Sequence, residues 1–281
     1  MQVFSETKTL QEALNSKGKN YSIGFVPTMG ALHRGHMSLV HEAKEHNDLV
    51  VVSIFVNPTQ FDNADDLDKY PKTLQADLEL LEAQGCQFVF VPSIAEMYRE
   101  NVSSETFSFD GLEFEMEGKF RAGHFDGVGT IVRRLFEIVK PTNAYFGEKD
   151  FQQLQIIRTM VKNLKLPVKI IGCPIFREDD GLAMSSRNTR LTKEHRTIAP
   201  MIFKVLSEVK NRFGTENVDA IVQWVEQEFY EEPLLELEYF EIAEEETLKS
   251  VQKFKRNGKY RAFIAVFAGE IRLIDNISLT N

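Results

Sequence analysis

The chain has 281 residues, of which 43% are hydrophobic, so it is long enough for roughly two domains with apolar cores. Its formal net charge of −9 argues against a nucleic-acid partner, which would need a basic surface. The two cysteines, Cys86 and Cys173, are far apart in sequence and indicate neither a disulfide framework nor a metal-binding pair.

The sequence also bears on cellular location. The longest apolar run, residues 49–56, is too short to span a bilayer, and residues 1–10 lack the basic and apolar regions of a secretory signal. We therefore expect a cytoplasmic protein with no membrane partner.

Strand-like and helical patterns alternate through the first 175 residues. Strands are predicted at 22–26, 49–56, 87–91, 144–146 and 168–172, and helices at 37–46, 73–83, 129–139 and 150–162. This alternation predicts an α/β fold, in which residues 1–175 form a Rossmann-like, doubly wound parallel sheet with helices on both faces. The nearly continuous apolar run at 49–56 is typical of a central strand.

The pattern changes after Pro174. Two helical stretches, 193–213 and 218–229, precede strand-like runs at 235–242, 261–267 and 271–275. They predict a second, smaller α+β domain at residues 176–281, which we expect to cover the active site.

Residues 24–36, GFVPTMGALHRGH, run an apolar strand through a tight turn into a helix start. His33 and His36 lie three residues apart on one face of the predicted first helical turn, near its amide N–H groups and the positive end of its dipole. Gly35 would let a phosphate approach the backbone closely, so the turn predicts a nucleotide-phosphate site. The alternatives are capping or packing histidines, or half of a metal site, although zinc-binding helices usually space histidines four apart.

A second polar cluster, residues 144–153, crosses a predicted strand-to-helix turn with the sequence AYFGEKDFQQ. Lys149 is placed to meet phosphate; alternatively it is a solvated lysine, with Asp150 as the helix N-cap. At least one of Gln152 and Gln153 should point into a cleft or solvent, because aliphatic residues supply the core face of this helix.

A third cluster, residues 177–188, has the sequence REDDGLAMSSRN at the proposed domain junction. Ser185 and Ser186 offer hydroxyl donors, and Arg187 offers a planar fork of donors suited to a triphosphate. The alternative is an ordinary N-cap loop before a helix that begins near Thr192.

Two further segments have the composition of acid-binding and metal-binding elements. In residues 55–61, FVNPTQF, Asn57 and Gln60 lie at the predicted carboxyl edge of the sheet, although a turn with exposed amides is as good an interpretation. In the acidic stretch 66–77, Asp77 is one candidate ligand for Mg²⁺ among many acids.

The glycine-flanked segment 121–127 is predicted as a loop. It either carries Arg121 to an anionic group or forms a structural turn.

Five motifs together resemble those of the pantothenate synthetase family: PTMGALHxGH at 27–36, FVNPxQF at 55–61, GHFDGV at 123–128, FGEKDFQQ at 146–153 and DGLAMSSRN at 180–188. The resemblance spans nearly the whole chain, whereas HxGH alone would indicate only the wider nucleotidyltransferase superfamily. It implies condensation of (R)-pantoate with β-alanine, using ATP and Mg²⁺, through a pantoyl adenylate. It also implies a homodimer and a place in pantothenate biosynthesis.

The resemblance further implies roles for individual residues. His36 matches the proton donor, and Gln60 and Gln153 match pantoate-binding positions. The residues implied to act in catalysis are His33, His36, Lys149, Ser185, Ser186 and Arg187. Those implied to bind ATP are Met29, Gly30, Ala31, Leu32, His33, Arg34, Gly35, His36, Gly147, Glu148, Lys149, Asp150, Phe176, Met184, Ser185, Ser186 and Arg187.

Three positions depart from the family pattern. Phe176 replaces a smaller aliphatic residue, so a contact made there by the backbone would survive but one made by the side chain would not. Arg34 is expected to face solvent, and Lys72 would weaken a bidentate contact with a carboxylate or phosphate.

Two other functions share some of these features. A nucleotidyltransferase that joins AMP to a phosphorylated cofactor precursor would need a basic acceptor pocket, whereas the amides of Asn57, Gln60 and Gln153 suit an uncharged, hydroxyl-bearing acid better. A catalytically idle nucleotide-binding regulator is disfavoured because both histidines are retained together with Lys149 and Arg187.

Overall fold

The structure is a computed structural model that describes residues 1–18, 21–61, 67–98, 101–255 and 257–280. Asp66, at the start of the acidic stretch considered above, lies outside the described residues. The chain divides into two compact units, Met1–Glu148 with Gln152–Pro174, and Lys149–Phe151 with Ile175–Asn281. Among the helices in the described ranges, none combines the length and apolar character needed to cross a bilayer.

The first unit contains a six-stranded sheet in which every pair of neighbouring strands is parallel. Its strands are β1 (Gln2–Phe4), β2 (Ile23–Thr28), β3 (Leu49–Ile54), β4 (Phe88–Phe90), β5 (Asn143–Gly147) and β6 (Lys169–Cys173). Their spatial order is β1-β4-β3-β2-β5-β6, so β3 and β4 follow on one side of β2 and β5 and β6 on the other, with β1 at the edge beyond β4. The predicted doubly wound parallel sheet is confirmed, and its winding reverses beside β2, where ligands bind in open α/β sheets.

Several helices accompany this sheet. They are α1 (Thr7–Ser16), α2 (Arg34–His46), α3 (Leu74–Ala83), α4 (Ile94–Met97), α5 (Glu117–Phe120), α6 (His124–Val139) and α7 (Phe151–Asn163). α2 packs on β2, β3 and β5, while α6 contacts β2 and α1. All six residues of β3 are buried, as its apolar run predicted for a strand covered on both faces.

Two helices begin earlier than the sequence pattern indicated. α2 starts at Arg34 instead of residue 37, because His33 serves as its N-cap. α6 starts at His124 instead of residue 129, so most of the predicted loop 121–127 is the first turn of a helix. Close packing explains the glycine at position 127, since a Cβ on Gly127 would lie 2.3 Å from the carbonyl oxygen of Thr59. β1 and α1 were not predicted.

The second unit is α+β, as predicted. Its antiparallel sheet consists of β7 (Glu236–Glu244), β8 (Tyr260–Ala268) and β9 (Ile271–Ser278), and its helices are α8 (Lys193–Ile198), α9 (Met201–Arg212) and α10 (Val218–Tyr230). One apolar core joins the helices to the sheet, including Leu206, Val225 and Ile264. The single helix predicted at 193–213 is two helices, interrupted near Pro200, which has no backbone N–H to donate.

Candidate active site

The turn that follows β2 is held by a buried carboxylate. The carboxylate of Asp77, in α3, accepts hydrogen bonds from the backbone N–H groups of Ala31 (3.0 Å) and Leu32 (2.8 Å) and from the hydroxyl of Thr73 (3.1 Å). Asp77 is 3% exposed. Gly30 has a φ of +84°, and a Cβ there would lie 3.1 Å from an oxygen of Asp77. Glycine is therefore required where the turn closes over this carboxylate.

These contacts bear on the predicted role of Asp77 as a Mg²⁺ ligand. Both of its oxygens face N–H or O–H donors, whose positive ends repel a cation. Among the described residues, one group of three His, Cys, Asp or Glu side chains converges closely enough for an ion, namely Glu42, Glu45 and His46 on α2. Asp77 therefore positions the turn, and its role as a Mg²⁺ ligand stays a prediction.

The two histidines of the turn cap α2 and orient each other. The Nδ1 atom of His33 accepts from the backbone N–H of Gly35 (3.2 Å), and the Nδ1 atom of His36 accepts from the backbone N–H of His33 (3.3 Å). The ring centroids are 4.1 Å apart. Because each Nδ1 is an acceptor, this pattern assigns the proton of each neutral ring to Nε2. Capping and an anion-binding role are therefore compatible, since the caps use only the Nδ1 atoms.

The remaining members of this turn lie at the carboxyl end of β2. Met29, Ala31 and Leu32 are half-buried, Gly35 lies in the first turn of α2, and Arg34 is exposed, as expected for a solvent-facing side chain. The N-terminus of α2 therefore lies at the end of the strand beside which the sheet's winding reverses. This is where a helix dipole and backbone N–H groups favour an anion.

Asn57, predicted to bind substrate, is a buried residue whose side chain is held by protein partners. Its Nδ2 donates to the carbonyl of Gly127 (3.1 Å) and to Oε1 of Gln60 (3.2 Å), while its Oδ1 accepts from the hydroxyl of Tyr98 (2.5 Å). Asn57 is 1% exposed. Burial raises the pKa of Tyr98, so its hydroxyl keeps its proton and donates. Asn57 therefore orients Gln60, and the exposed-amide interpretation does not hold for it.

Gln60 lies where the turns after β2 and β3 meet. Its Nε2 donates to the Sδ atom of Met29 (3.1 Å), so two of the sequence-predicted site residues are in contact. Its backbone carbonyl accepts from Nη2 of Arg121 (3.3 Å) and lies 2.7 Å from Nδ1 of His124. Arg121 therefore supports Gln60 by donating to the backbone carbonyl of Gln60.

The paired glutamines in the first turn of α7 differ in burial. The Nε2 atom of Gln152 donates to the carbonyls of Leu112 (2.9 Å) and Glu115 (2.7 Å), and its Oε1 accepts from the N–H of Glu117 (3.0 Å). Gln153 is half-exposed, and within the described part of the chain its side chain has no hydrogen-bond partner. As predicted, one amide of the pair is available to solvent or a ligand.

Lys149 belongs to the second unit, together with Asp150 and Phe151. It lies in the 3₁₀ turn Glu148–Asp150, and its Nζ is 4.0 Å from an Oδ1 of Asp150. Its backbone carbonyl accepts a hydrogen bond from Nδ2 of Asn276 (2.9 Å), a residue of β9 that the sequence pattern did not indicate. On the strand side of the turn, a Cβ on Gly147 would meet no atom within 4 Å.

The Met184–Arg187 segment of the second unit follows a tight hairpin. The backbone N–H of Met184 donates to the carbonyl of Phe176 (3.0 Å), so Phe176 is held through its backbone. Ser185 caps the 3₁₀ turn Ser186–Arg190, because its hydroxyl accepts from the N–H of Arg187 (3.2 Å). Ser185 thus caps this 3₁₀ turn and not α8, whose N-cap is Thr192. The Ser185 hydroxyl can still donate its own proton.

Comparison with known proteins identifies the family. A model of the pantoate–β-alanine ligase family matches residues 2–278. A pantothenate synthetase of Christiangramia forsetii is 55% identical over 283 residues, covering 100% of both chains, and that of Flavobacterium psychrophilum is 55% identical over 259 residues, covering 92% of each. The chain belongs to the pantoate–β-alanine ligase family. The predicted resemblance and the assignment as a ligase are confirmed.

Solved structures of this family have the same fold. The pantothenate synthetase of Thermus thermophilus has a TM-score of 0.93 at 39% identity, with 100% of both chains covered. The pantoate–β-alanine ligase of Francisella tularensis, complexed with βγ-ATP and β-alanine, has a TM-score of 0.82 at 37% identity, covering 100% of this chain and 99% of that one.

Sequence reasoning missed the residues that support the site. Tyr98, His124 and Asn276 each hold a site element, but they lie 41, 64 and 127 positions from their partners. His124 was part of the GHFDGV motif, which could have drawn attention to it. Tyr98 and Asn276 belong to no motif.

Proposed function

We propose that this pantoate–β-alanine ligase uses ATP to convert (R)-pantoate into pantoyl adenylate, which β-alanine then converts into pantothenate and AMP. A carboxylate does not react with an amine at neutral pH until one of its oxygens becomes a leaving group. In the first step a carboxylate oxygen of pantoate bonds to the α-phosphorus of ATP, and the bond from that phosphorus to pyrophosphate breaks. In the second step the amine of β-alanine bonds to the acyl carbon, AMP leaves, and the amine loses a proton.

The observation that carries this proposal is the orientation of His33 and His36. Their Nδ1 atoms accept backbone N–H groups, which assigns the ring proton to Nε2, and both rings lie at the start of α2, at the positive end of its dipole. The Nε2–H groups would stabilise negative charge on the phosphoryl oxygens as the phosphorus is attacked. His36 then acts as a hydrogen-bond donor that does not need to be a cation.

The other proposed contacts are assigned by residue type. Lys149 and Arg187 would bind phosphate oxygens as cations, and Ser185 and Ser186 would donate hydroxyl hydrogen bonds. Gln60 and Gln153 would bind the hydroxyl and carboxylate groups of pantoate. The remaining predicted ATP-binding residues, including Phe176 through its backbone, are proposed as contacts without a chemical role.

We propose that Mg²⁺ enters bound to ATP, as part of the substrate. Mg²⁺ commonly keeps several waters and binds substrate phosphates, so it does not need a dedicated set of protein ligands. This fits the contacts of Asp77, whose oxygens are directed at backbone N–H groups.

A homodimer and a cytoplasmic location are also proposed. Phe114 and Phe120 of the first unit are 71% and 49% exposed, which is apolar surface that a subunit interface would bury. Sedimentation of Phe114→Ser beside the unaltered protein tests this, and an unchanged dimer would exclude Phe114 from the interface. The two buried, unpaired thiols, Cys86 and Cys173, support a reducing compartment, which cell fractionation tests.

The test of the reaction is isotope exchange between pyrophosphate and ATP with Mg²⁺ and no β-alanine. We expect exchange that depends on (R)-pantoate, because formation of the adenylate is reversible and leaves no covalent enzyme intermediate. Release of pyrophosphate is followed in parallel with β-alanine present, in case it stays bound until the amine arrives. Exchange with a phosphorylated acceptor instead of pantoate would favour the nucleotidyltransferase alternative.

A further inference from the structure

Asn276 is a buried polar residue near the end of β9 that links a strand of the second unit to the turn containing Lys149. Its Nδ2 donates to the carbonyl oxygen of Lys149 (2.9 Å), and its Oδ1 accepts from Nη1 of Arg261 (2.6 Å). The side chain is 2% exposed. It therefore connects the Lys149 backbone to a buried arginine.

Arg261 also contacts Phe151, the residue that follows Asp150. Its Nε donates to Oε1 of Glu245 (2.9 Å), and its guanidinium carbon lies 3.9 Å from the ring centroid of Phe151. The residues before and after Asp150 are thus both held by the β8–β9 part of the sheet. The turn has a defined position relative to that sheet.

Asp275, the preceding residue, holds the other segment proposed to bind ATP. Its carboxylate makes a bidentate pair with Nη1 (2.6 Å) and Nη2 (3.0 Å) of Arg177, whose Nη1 also donates to the carbonyl of Gly181 (3.1 Å). Arg177 pairs with Ala183 across the hairpin that leads into residues 184–187. Burial raises the pKa of Asp275, and the Arg177 guanidinium opposes that rise.

This arrangement places charged and polar groups where apolar ones would pack. Ile271 and Leu273 occupy the same face of β9 as Asp275 and belong to the core of the second unit. Buried ion pairs contribute little to stability compared with apolar residues of similar size, so stability alone does not account for this network. Its contacts run to two segments that are adjacent to proposed phosphate-binding side chains.

We propose that Asp275 and Asn276 are positioning residues for adenylation, which fix the Lys149 turn and the Met184–Arg187 segment relative to one another within the second unit. This inference rests on the proposed function of those two segments. Asn276 acts through the backbone of Lys149, and Asp275 acts through Arg177. Because Asp275 and Asn276 are neighbours on one strand, a single rigid element fixes the positions of both segments.

The sharpest test is Asn276→Asp. The new carboxylate keeps an acceptor for Arg261 but replaces the donor that faces the carbonyl of Lys149 with an oxygen. We expect the maximal rate of pantoate-dependent exchange to fall roughly tenfold to a hundredfold, because a small displacement of a charge-stabilising group is costly. The KM for ATP should change less, by about threefold or under. Asp275→Asn should give the same pattern through Arg177.

A double-mutant cycle shows whether Asn276 acts through Lys149. In a Lys149→Ala background the further effect of Asn276→Asp should shrink to about twofold or less, because coupled residues are non-additive. A full additional loss in that background would overturn the proposal.

Glu238→Gln is the matched control. It weakens a different side-chain contact of β9, in which Nε of Arg272 donates to Oε2 of Glu238 (2.8 Å), and should leave both kinetic parameters unchanged. If it lowers the rate as much as Asn276→Asp does, general loosening of the sheet explains the effect and the positioning role is wrong.

A measurement that does not depend on activity separates this inference from the proposed function. Amide hydrogen exchange should accelerate at residues 149–151 in Asn276→Asp and at 184–187 in Asp275→Asn, and in neither segment in Glu238→Gln. Unchanged protection in the first two variants would overturn the positioning role. Absence of pantoate-dependent exchange in the unaltered protein would instead overturn the proposed function.

Discussion

The two units hold their proposed phosphate-binding segments in different ways. In the first unit Asp77 accepts backbone N–H groups of the turn directly, and His33 and His36 complete the start of α2. In the second unit Asp275 and Asn276 act from β9, through an arginine or on a backbone carbonyl. The turn before α2 offers backbone N–H groups that a carboxylate can bind directly. In the second unit the anchored groups are the carbonyl of Lys149 and the hairpin that contains Arg177.

The largest effect is expected for a residue of the first unit that is proposed to contact substrate. His36→Ala removes one of two Nε2–H donors, and we expect the rate of adenylation to fall on the order of a hundredfold or more. The measurement is pantoate-dependent exchange of pyrophosphate with ATP. His41→Ala, at an exposed position of the same helix where the ring pairs with Glu45, is the control and should retain full activity. A near-normal rate in His36→Ala would remove His36 from the mechanism.

The anchor of the first unit should affect both stability and activity. Asp77→Ala leaves buried N–H groups without an acceptor, which should lower the free energy of unfolding by about 2–3 kcal/mol and the adenylation rate roughly tenfold. Raising the Mg²⁺ concentration should not restore the rate. Recovery at high Mg²⁺ would show that Asp77 is a metal ligand after all.

The chain contains intrinsic probes that locate this destabilisation. Both cysteines lie in the first unit, and the single tryptophan, Trp224, lies in the second. In a denaturant titration, thiol labelling and tryptophan fluorescence therefore follow different units. Asp77→Ala should shift the labelling midpoint more than the fluorescence midpoint, and the reverse order would contradict a local effect on the first unit.

Adjacent glutamines provide a matched pair with separate outcomes. Gln153→Ala should raise the KM for pantoate roughly tenfold, and the KM for ATP less, without changing stability. Gln152→Ala removes three hydrogen bonds of a buried amide and should lower the free energy of unfolding by about 2 kcal/mol. Equal effects of Gln153→Ala on both KM values would exclude it from the pantoate site.

The smallest effect concerns the thiols. Burial raises the pKa of Cys86 to about 11 and that of Cys173 to about 12, so neither is a thiolate at neutral pH. Unfolded cysteines ionise near pH 8.5, whereas the folded ones remain protonated. The stabilising contribution is therefore complete below pH 8.5 and is lost as pH rises towards about 11 for Cys86 and about 12 for Cys173. Replacing both cysteines with alanine should flatten this slope, and an unchanged slope would assign it to other groups.

Much of the first unit could be predicted because its signals are local. The apolar run of β3, the alternation of strands and helices, and the HxGH turn each lie within a short stretch of sequence. Boundaries failed where a polar or glycine-rich segment was helical, as at His124–Gly127, because packing against the backbone of Thr59 outweighed the low helix propensity of glycine. The roles assigned to the two predicted domains stay predictions.

Some features of the candidate site could be predicted from short motifs, but the contacts of individual side chains could not. Gln60 and Met29 come from separate motifs and are in contact, whereas Asn57 and Asp77, which were assigned to ligands, are buried and hydrogen-bonded to other parts of the protein. Sequence shows that an amide or carboxylate is present. It does not show which hydrogen-bond donors and acceptors surround that group after folding.

By itself, the sequence determined the family, the parallel sheet and the chemical groups available for catalysis, because these depend on residue types within short motifs. The tertiary structure alone decided which polar groups remain accessible and which hold the chain in place, as in Gln153 beside Gln152. The physical reason is that a buried polar group must be paired, and its partner is often distant in sequence, as Asn276 is from Lys149.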